Sequence, residues 1–390
     1  MSNITGDVAH KTVNTNSAQV IYLPGLNGLR AIAALGVVLS HITLKLSEFG
    51  LSTKIFGTDI NGNSKGLDLG GTGVTIFFTL SGFLITFLLL KEKSNDAIKV
   101  KHFYLRRLLR IWPLYYLYFL LCVLTALVYN LKFEHALLPF YIFLTANIPF
   151  LIGNNIPFLH HYWSLAVEEQ FYLFFPHFAK FSNKKLLKTS ILIICILFSF
   201  KLFFWVLSKK YNITFPLLFL TVNRFHIMLI GAIGAILYFN KNRTFIFFTT
   251  HKITQIFSWI CIFFLAINTT NFYGIIHEEF YAIITLFIII SQVTRKNYII
   301  NLENKLCNFI GKISYGIYVI HPLVIFYLSK IIGHFSTPTI FNYCIVFLSV
   351  ISTTIILAYV SYEFYEKNFL KLKAKFTSIK SSNVSTIKVL

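Results

Sequence analysis

Acidic side chains are scarce in this sequence. Asp and Glu together number 14 in 390 residues, against 35 Lys and Arg. Charged residues of both signs make up 13% of the chain, where a soluble globular domain carries about 25%. That shortage excludes an ordinary water-soluble globule. Cysteine forms no pattern either: Cys122, Cys195, Cys261, Cys307 and Cys344 are scattered, with no CxxC pair, so neither a disulfide framework nor a metal site is expected. The opening MSNITGDVAHKTVNTNSAQV has no apolar stretch, so no cleavable signal peptide is expected and insertion should begin at the first internal span. No internal repeat is evident, and no second soluble domain is expected.

What is abundant is apolar surface. Hydrophobic residues make up 56% of the chain, and runs long enough to span a bilayer (about 20 residues each) recur along its whole length. Examples are LRAIAALGVVLSHITL (29–44), VTIFFTLSGFLITFLLL (74–90), SILIICILFSFKLFFWVL (190–207) and FYAIITLFIIISQV (280–293). The fold class is therefore all-α, a polytopic membrane bundle in contact with a lipid bilayer. The formal charge of +21 fits basic loops on one membrane face rather than a nucleic-acid surface.

Lys and Arg collect in cytoplasmic loops, and here they sort the loops. Residues 91–110 hold seven, 180–188 four, 241–252 three, 294–312 four and the segment after 366 six, while 268–278 and 333–340 hold none. The alternation works if 137–179 crosses once as a broken or re-entrant segment, since Pro139, Pro149, Gly153 and Pro157 interrupt it. The expectation is about ten spans, with a polar cytoplasmic segment at 1–21, a membrane domain at 22–366 and a basic cytoplasmic tail at 367–390.

An ionisable side chain at bilayer depth is costly and marks a functional candidate. The spans contain His41, Glu168, Glu169, Lys201, Arg224, His321, Lys330 and Glu363. Lys201 and Lys330 are expected to snorkel to an interface. His41 lies eleven residues beyond Arg30, about 16 Å along a helix, and is either a satisfied buried histidine or a proton-transfer group. Arg107 and Arg110 share a helix face. They are either plain positive-inside charge or a pair of guanidinium forks suited to a diphosphate. Close packing is the default for Ser81 and Gly82, and His321 either caps the defect made by Pro322 or lines a cavity.

Six stretches in order carry a resemblance: LNGLRAIAALGVVLSH (26–41), GVTIFFTLSGFLIT (73–86), FYLRRLLRIWPLYY (103–116), HYWSLAVEEQFYLFFP (161–176), NRFHIMLIGAIGA (223–235) and ISYGIYVIHPLV (313–324). Together they resemble the acyltransferase type 3 family of bacterial membrane proteins. The resemblance implies transfer of an acyl group, usually acetyl from acetyl-CoA, to hydroxyls of a glycan or glycolipid such as a lipopolysaccharide or exopolysaccharide. It places the family's paired basic residue and histidine on Arg30 and His41, and its RxxR element on Arg107 and Arg110. Asn27 stands where the family commonly has Asp, and Asn368 where it commonly has Pro. Some relatives carry an additional esterase-like domain; without one, transfer would be completed within the membrane domain.

The expected enzyme is thus an O-acyltransferase of the bacterial inner membrane, with both termini cytoplasmic and no metal. Acyl-CoA would be held by Arg30, Arg107 and Arg110, and His41 would act as general base or carry the acyl group covalently. Of Glu168 and Glu169, one is expected to pair with Arg224 and the other to orient His41 or the acceptor hydroxyl. His161, Trp163, Arg224 and His321 are the candidates for lining the acceptor. The rival reading is a transporter or flippase of a lipid-linked sugar, which also uses broken helices and polar residues at mid-membrane.

Overall fold

The apolar runs are helical throughout the computed structural model, which describes residues 19–58, 62, 64–266, 275–377 and 379–381. In order the helices are α1 (Leu26–Lys45), α2 (Asp68–Asn95), α3 (Val100–Val128), α4 (Leu138–Ile142), α5 (Asn147–Leu151), α6 (Tyr162–Ala179), α7 (Asn183–Tyr211) and α8 (Phe215–Val222). There follow α9 (Phe225–Phe239), α10 (Arg243–Thr249), α11 (Lys252–Ala266), α12 (His277–Thr294), α13 (Lys305–Lys312), α14 (Ser314–Ile332), α15 (Ile340–Ser361) and α16 (Lys367–Lys373). Among the described residues, seven helical segments are long and apolar enough to cross a membrane, or eight if the bent pair α10–α11 is one span. This is a helical membrane protein. That count does not confirm the ten expected: α6 and α12 are only 18 residues each and carry adjacent glutamates, and α10–α11 bends by 52°.

The helix α2 is the axis of the bundle. Within its most apolar window 83% is buried, against 11% for α7, whose Leu192, Phe200 and Phe203 face outward. An apolar exterior is what a bilayer solvates. On one side of α2 sits α9, and glycines let the two backbones touch: a Cβ on Gly82 would lie 1.9 Å from the Met228 carbonyl oxygen, and one on Gly231 2.1 Å from that of Thr79.

The expected break at 137–179 is present as two one-turn helices and a loop ahead of α6. Leu144, Gly153 and Phe158 take positive φ there. Irregular backbone at membrane depth needs partners for its carbonyls, and the tyrosines of α3 supply them. Tyr115 Oη donates to Tyr141 O and Tyr116 Oη to Ile142 O, both at 2.8 Å, and Tyr118 Oη donates to Phe158 O at 3.4 Å.

Both ends of the described chain meet: Gln19–Ile21 pairs in parallel with Ile379–Ser381. The segment after 366 starts as α16, packed on α3, and Arg106 Nη1 donates to Phe376 O at 2.9 Å. Residues 1–18 and 382–390 of the expected terminal segments lie outside the described residues.

Candidate active site

Three arginines meet in one cavity. From α1 comes Arg30, and from one face of α3 come Arg107 and Arg110. The cavity is completed by Phe78 and Ser81 of α2, Glu168 and Tyr172 of α6, and Tyr315 and Tyr318 of α14. The partners of the arginines carry no charge. Arg30 Nη1 donates to Asn27 Oδ1 at 3.0 Å, and Arg107 lies 5.1 Å over the Tyr172 ring with its Nε buried and unpaired. Among the described residues none of the three forms an ion pair. The carboxylate that enters the cavity is Glu168, which accepts hydrogen bonds from the hydroxyls of Ser81 and Tyr172. Positive charge therefore exceeds negative in a partly desolvated space, and the buried, unpaired Arg107 Nε is a donor awaiting an acceptor. Such a space suits a polyanion bearing phosphates.

Beyond this cavity lies a layer of histidines. His41 Nδ1 and His321 Nε2 are 2.7 Å apart, and the His161 ring centroid is 5.3 Å from that of His321. His321 Nδ1 lies 3.2 Å from Ile317 O. A carbonyl only accepts, so that nitrogen carries the proton. A neutral His321 then presents Nε2 as an acceptor, so His41 Nδ1 must be the donor. With both rings neutral, the lone pair of His41 Nε2 is left free, which is what a general base requires. Tyr318 stands between the two compartments. It lines the arginine cavity, shares a 2.5 Å hydrogen bond with Ser164 Oγ and places its ring centroid 5.3 Å from that of His161.

Neither glutamate contacts His41, one of the two roles expected for the cavity-facing member. Their helix turns them apart: Glu168 faces α2, and Glu169 faces α3, accepting from Trp112 Nε1 at 3.3 Å. Nor does either pair with Arg224, whose Nη2 lies 3.4 Å from Glu278 Oε1. Arg224 also sits 5.5 Å over the ring of Trp163, which makes a T-shaped contact with Phe78 of the arginine cavity. Lys201 does not snorkel. It is buried, with Nζ 2.7 Å from Glu278 and 2.8 Å from Glu279, and His226 Nε2 lies 2.9 Å from Glu279 Oε1. Those two glutamates lie in the first turn of α12, just ahead of the apolar run 280–293. Ser81, expected only to pack, faces Glu168 instead; Gly82 alone is the packing residue.

A family model described as "Acyltransferase domain" (acyltransferase 3) matches residues 23–363, which contain every one of these side chains. The chain belongs to this acyltransferase family. Among curated proteins it is similar to Putative O-acetyltransferase SAR0937 of Staphylococcus aureus (strain MRSA252), 31% identical over 95% of this chain and 61% of the relative. It is similar to Putative O-acetyltransferase SACOL0978 of strain COL at 31% identity, over 92% of this chain and 59% of the relative. O-acetyltransferase OatA of strain NCTC 8325 is 28% identical over 88% of this chain and 57% of its own length. The chain thus spans about three fifths of the length of the curated relatives it matches. No solved structure gives a significant match.

Within the acyltransferase domain the structure joins Arg30 to Arg107 and Arg110, and His41 to His321 and His161, while Arg224 and Trp163 form a separate contact. Three lining residues were not singled out by sequence: Ser81 for this role, Tyr172 and Tyr318. Tyr172 had a signal, since it follows Glu168 by four residues and so shares its helix face. Tyr318 had none, because its neighbours come from other helices.

Proposed function

We propose that this protein is a membrane O-acyltransferase that moves an acyl group, acetyl by analogy with its relatives' names, from acyl-CoA to a hydroxyl of a glycan acceptor. The observation that carries the reading is the pairing of an arginine cavity, rich in uncompensated charge, with a histidine whose Nε2 is free, one tyrosine apart. Arg107 and Arg110 hold the phosphates of the donor, and Arg30 adds charge at the same cavity. The donor supplies an activated thioester. His41 Nε2 takes the proton from the acceptor hydroxyl as its oxygen attacks the thioester carbonyl; the C–S bond breaks and the proton passes to the departing CoA sulfur. His321 keeps the ring of His41 in the tautomer that can do so. Trp163 and Arg224 lie on the side where the acceptor approaches.

The arginine end faces the cytoplasm in this reading, as do both termini, and the chain sits in the bacterial cytoplasmic membrane with about ten crossings. The test is to supply labelled acetyl-CoA to membranes containing the protein and to measure base-labile acetate on glycan. Label dependent on the protein and lost in His41→Ala is the expected result. Equal labelling with and without the protein overturns the reading.

A further inference from the structure

The arginine cavity does not end at the arginines. It shares Leu84, Ile85, Arg107 and Arg110 with a second compartment, lined further out by Glu92, Arg106, Lys373 and Thr377. The two compartments adjoin, and Arg107 and Arg110 line both. In the outer compartment Arg106 is already committed. Its Nη2 is 2.9 Å from Glu92 Oε2 and its Nη1 donates to Phe376 O. Glu92 is the acidic residue lining that compartment, and Arg106 neutralises it. Lys373 is left over. Among the described residues its ammonium makes no ion pair and no hydrogen bond.

Its position is built rather than accidental. The π-helical turn Tyr362–Glu366 joins α15 to α16, Tyr365 Oη donates to Pro113 O at 3.2 Å, and the Arg106 clasp on Phe376 holds the turn that follows α16 against α3. Among the described residues, three side chains lining these compartments, Arg107, Arg110 and Lys373, therefore have no ion-pair partner. They are of two kinds. The arginines offer forks that match a diphosphate, whereas an ammonium is a compact point charge.

We infer that Lys373 binds a second phosphate of the donor, a phosphomonoester separate from the diphosphate at Arg107 and Arg110, so that α16 is a wall of the donor site. The inference rests on the acyl-CoA reading above, and in that donor the group is the ribose 3′-phosphate.

The probes are CoA and dephospho-CoA, which differ by that phosphate alone. Each is titrated calorimetrically into the purified full chain, as wild type, Lys373→Gln and Lys373→Arg. The wild type is expected to bind CoA at least roughly tenfold more tightly than dephospho-CoA, the scale of one charge-assisted hydrogen bond. Lys373→Gln should weaken CoA by the same factor and leave dephospho-CoA unchanged, and Lys373→Arg should keep part of the preference. Equal binding of the two probes by wild type overturns the role of Lys373 while leaving the donor reading intact. So does a Lys373→Gln protein that still discriminates, or one that weakens both probes alike. Failure of wild type to bind either probe overturns the donor reading, and this inference with it.

Discussion

His41 Nδ1 and His321 Nε2 lie 2.7 Å apart, although 280 residues separate them in the chain. One imidazole fixes the tautomer of the other, the service a carboxylate performs for histidine in hydrolytic triads. His41→Ala should lower acyl transfer by at least about 100-fold, the contribution of a general base. His321→Ala should lower kcat by about tenfold or more with KM for both substrates unchanged, because it disturbs orientation rather than binding. Steady-state kinetics on both variants checks this. A loss in His321→Ala confined to KM would return His321 to a substrate-lining role.

The two adjacent glutamates should separate cleanly. Glu168 lines the arginine cavity and is held by Ser81 and Tyr172, whereas Glu169 turns to Trp112. Glu168→Gln is therefore expected to lose transfer at normal membrane abundance, and Glu169→Gln to keep more than half of it. Quantifying protein by immunoblot beside the transfer assay distinguishes the two. The reverse pattern would mean that the cavity does not contain the reacting groups.

Much of this arrangement was legible in one dimension. Apolar run length gave the long helices, Pro149 and Gly153 marked the broken segment, and the three-residue spacing of Arg107 and Arg110 put both on one cavity wall. What could not be read was partnership between helices. Lys201 looked like a stray charge able to reach an interface, because its counter-ions lie 77 and 78 positions away. Helical periodicity says which face a residue occupies, but not what a distant helix presents to that face. The same gap hid Tyr318 and its neighbours, and it made Lys373 look like part of a solvated tail.

Gly82 offers a direct test of the packing between α2 and α9. A methyl group there would meet the Met228 carbonyl oxygen at 1.9 Å, whereas one at Gly71 would meet nothing within 4 Å. Gly82→Ala should destabilise the protein by about 1–3 kcal/mol, the cost of overpacking, and Gly71→Ala should leave it close to wild type. Thermal unfolding in detergent measures both. Equal midpoints for the two variants would show that the helices separate at little cost.

Lys201 should matter to the fold far more than its place in a greasy helix implies. Its ammonium is buried between Glu278 and Glu279, and the same glutamates reach Arg224 and His226. Removing one member of a buried ion pair leaves an uncompensated charge, at a cost of about 3–5 kcal/mol. Lys201→Met should therefore lower both the yield and the unfolding midpoint of the purified protein. Adding Glu279→Gln to that variant should recover part of the loss, because the orphaned carboxylate is then gone; the two substitutions are in contact and must not add. Arg224 still faces Glu278 in the double variant, so the second glutamate retains a partner. If Lys201→Met is as stable as wild type, water reaches this cluster and its charges contribute little to holding α7 against α12.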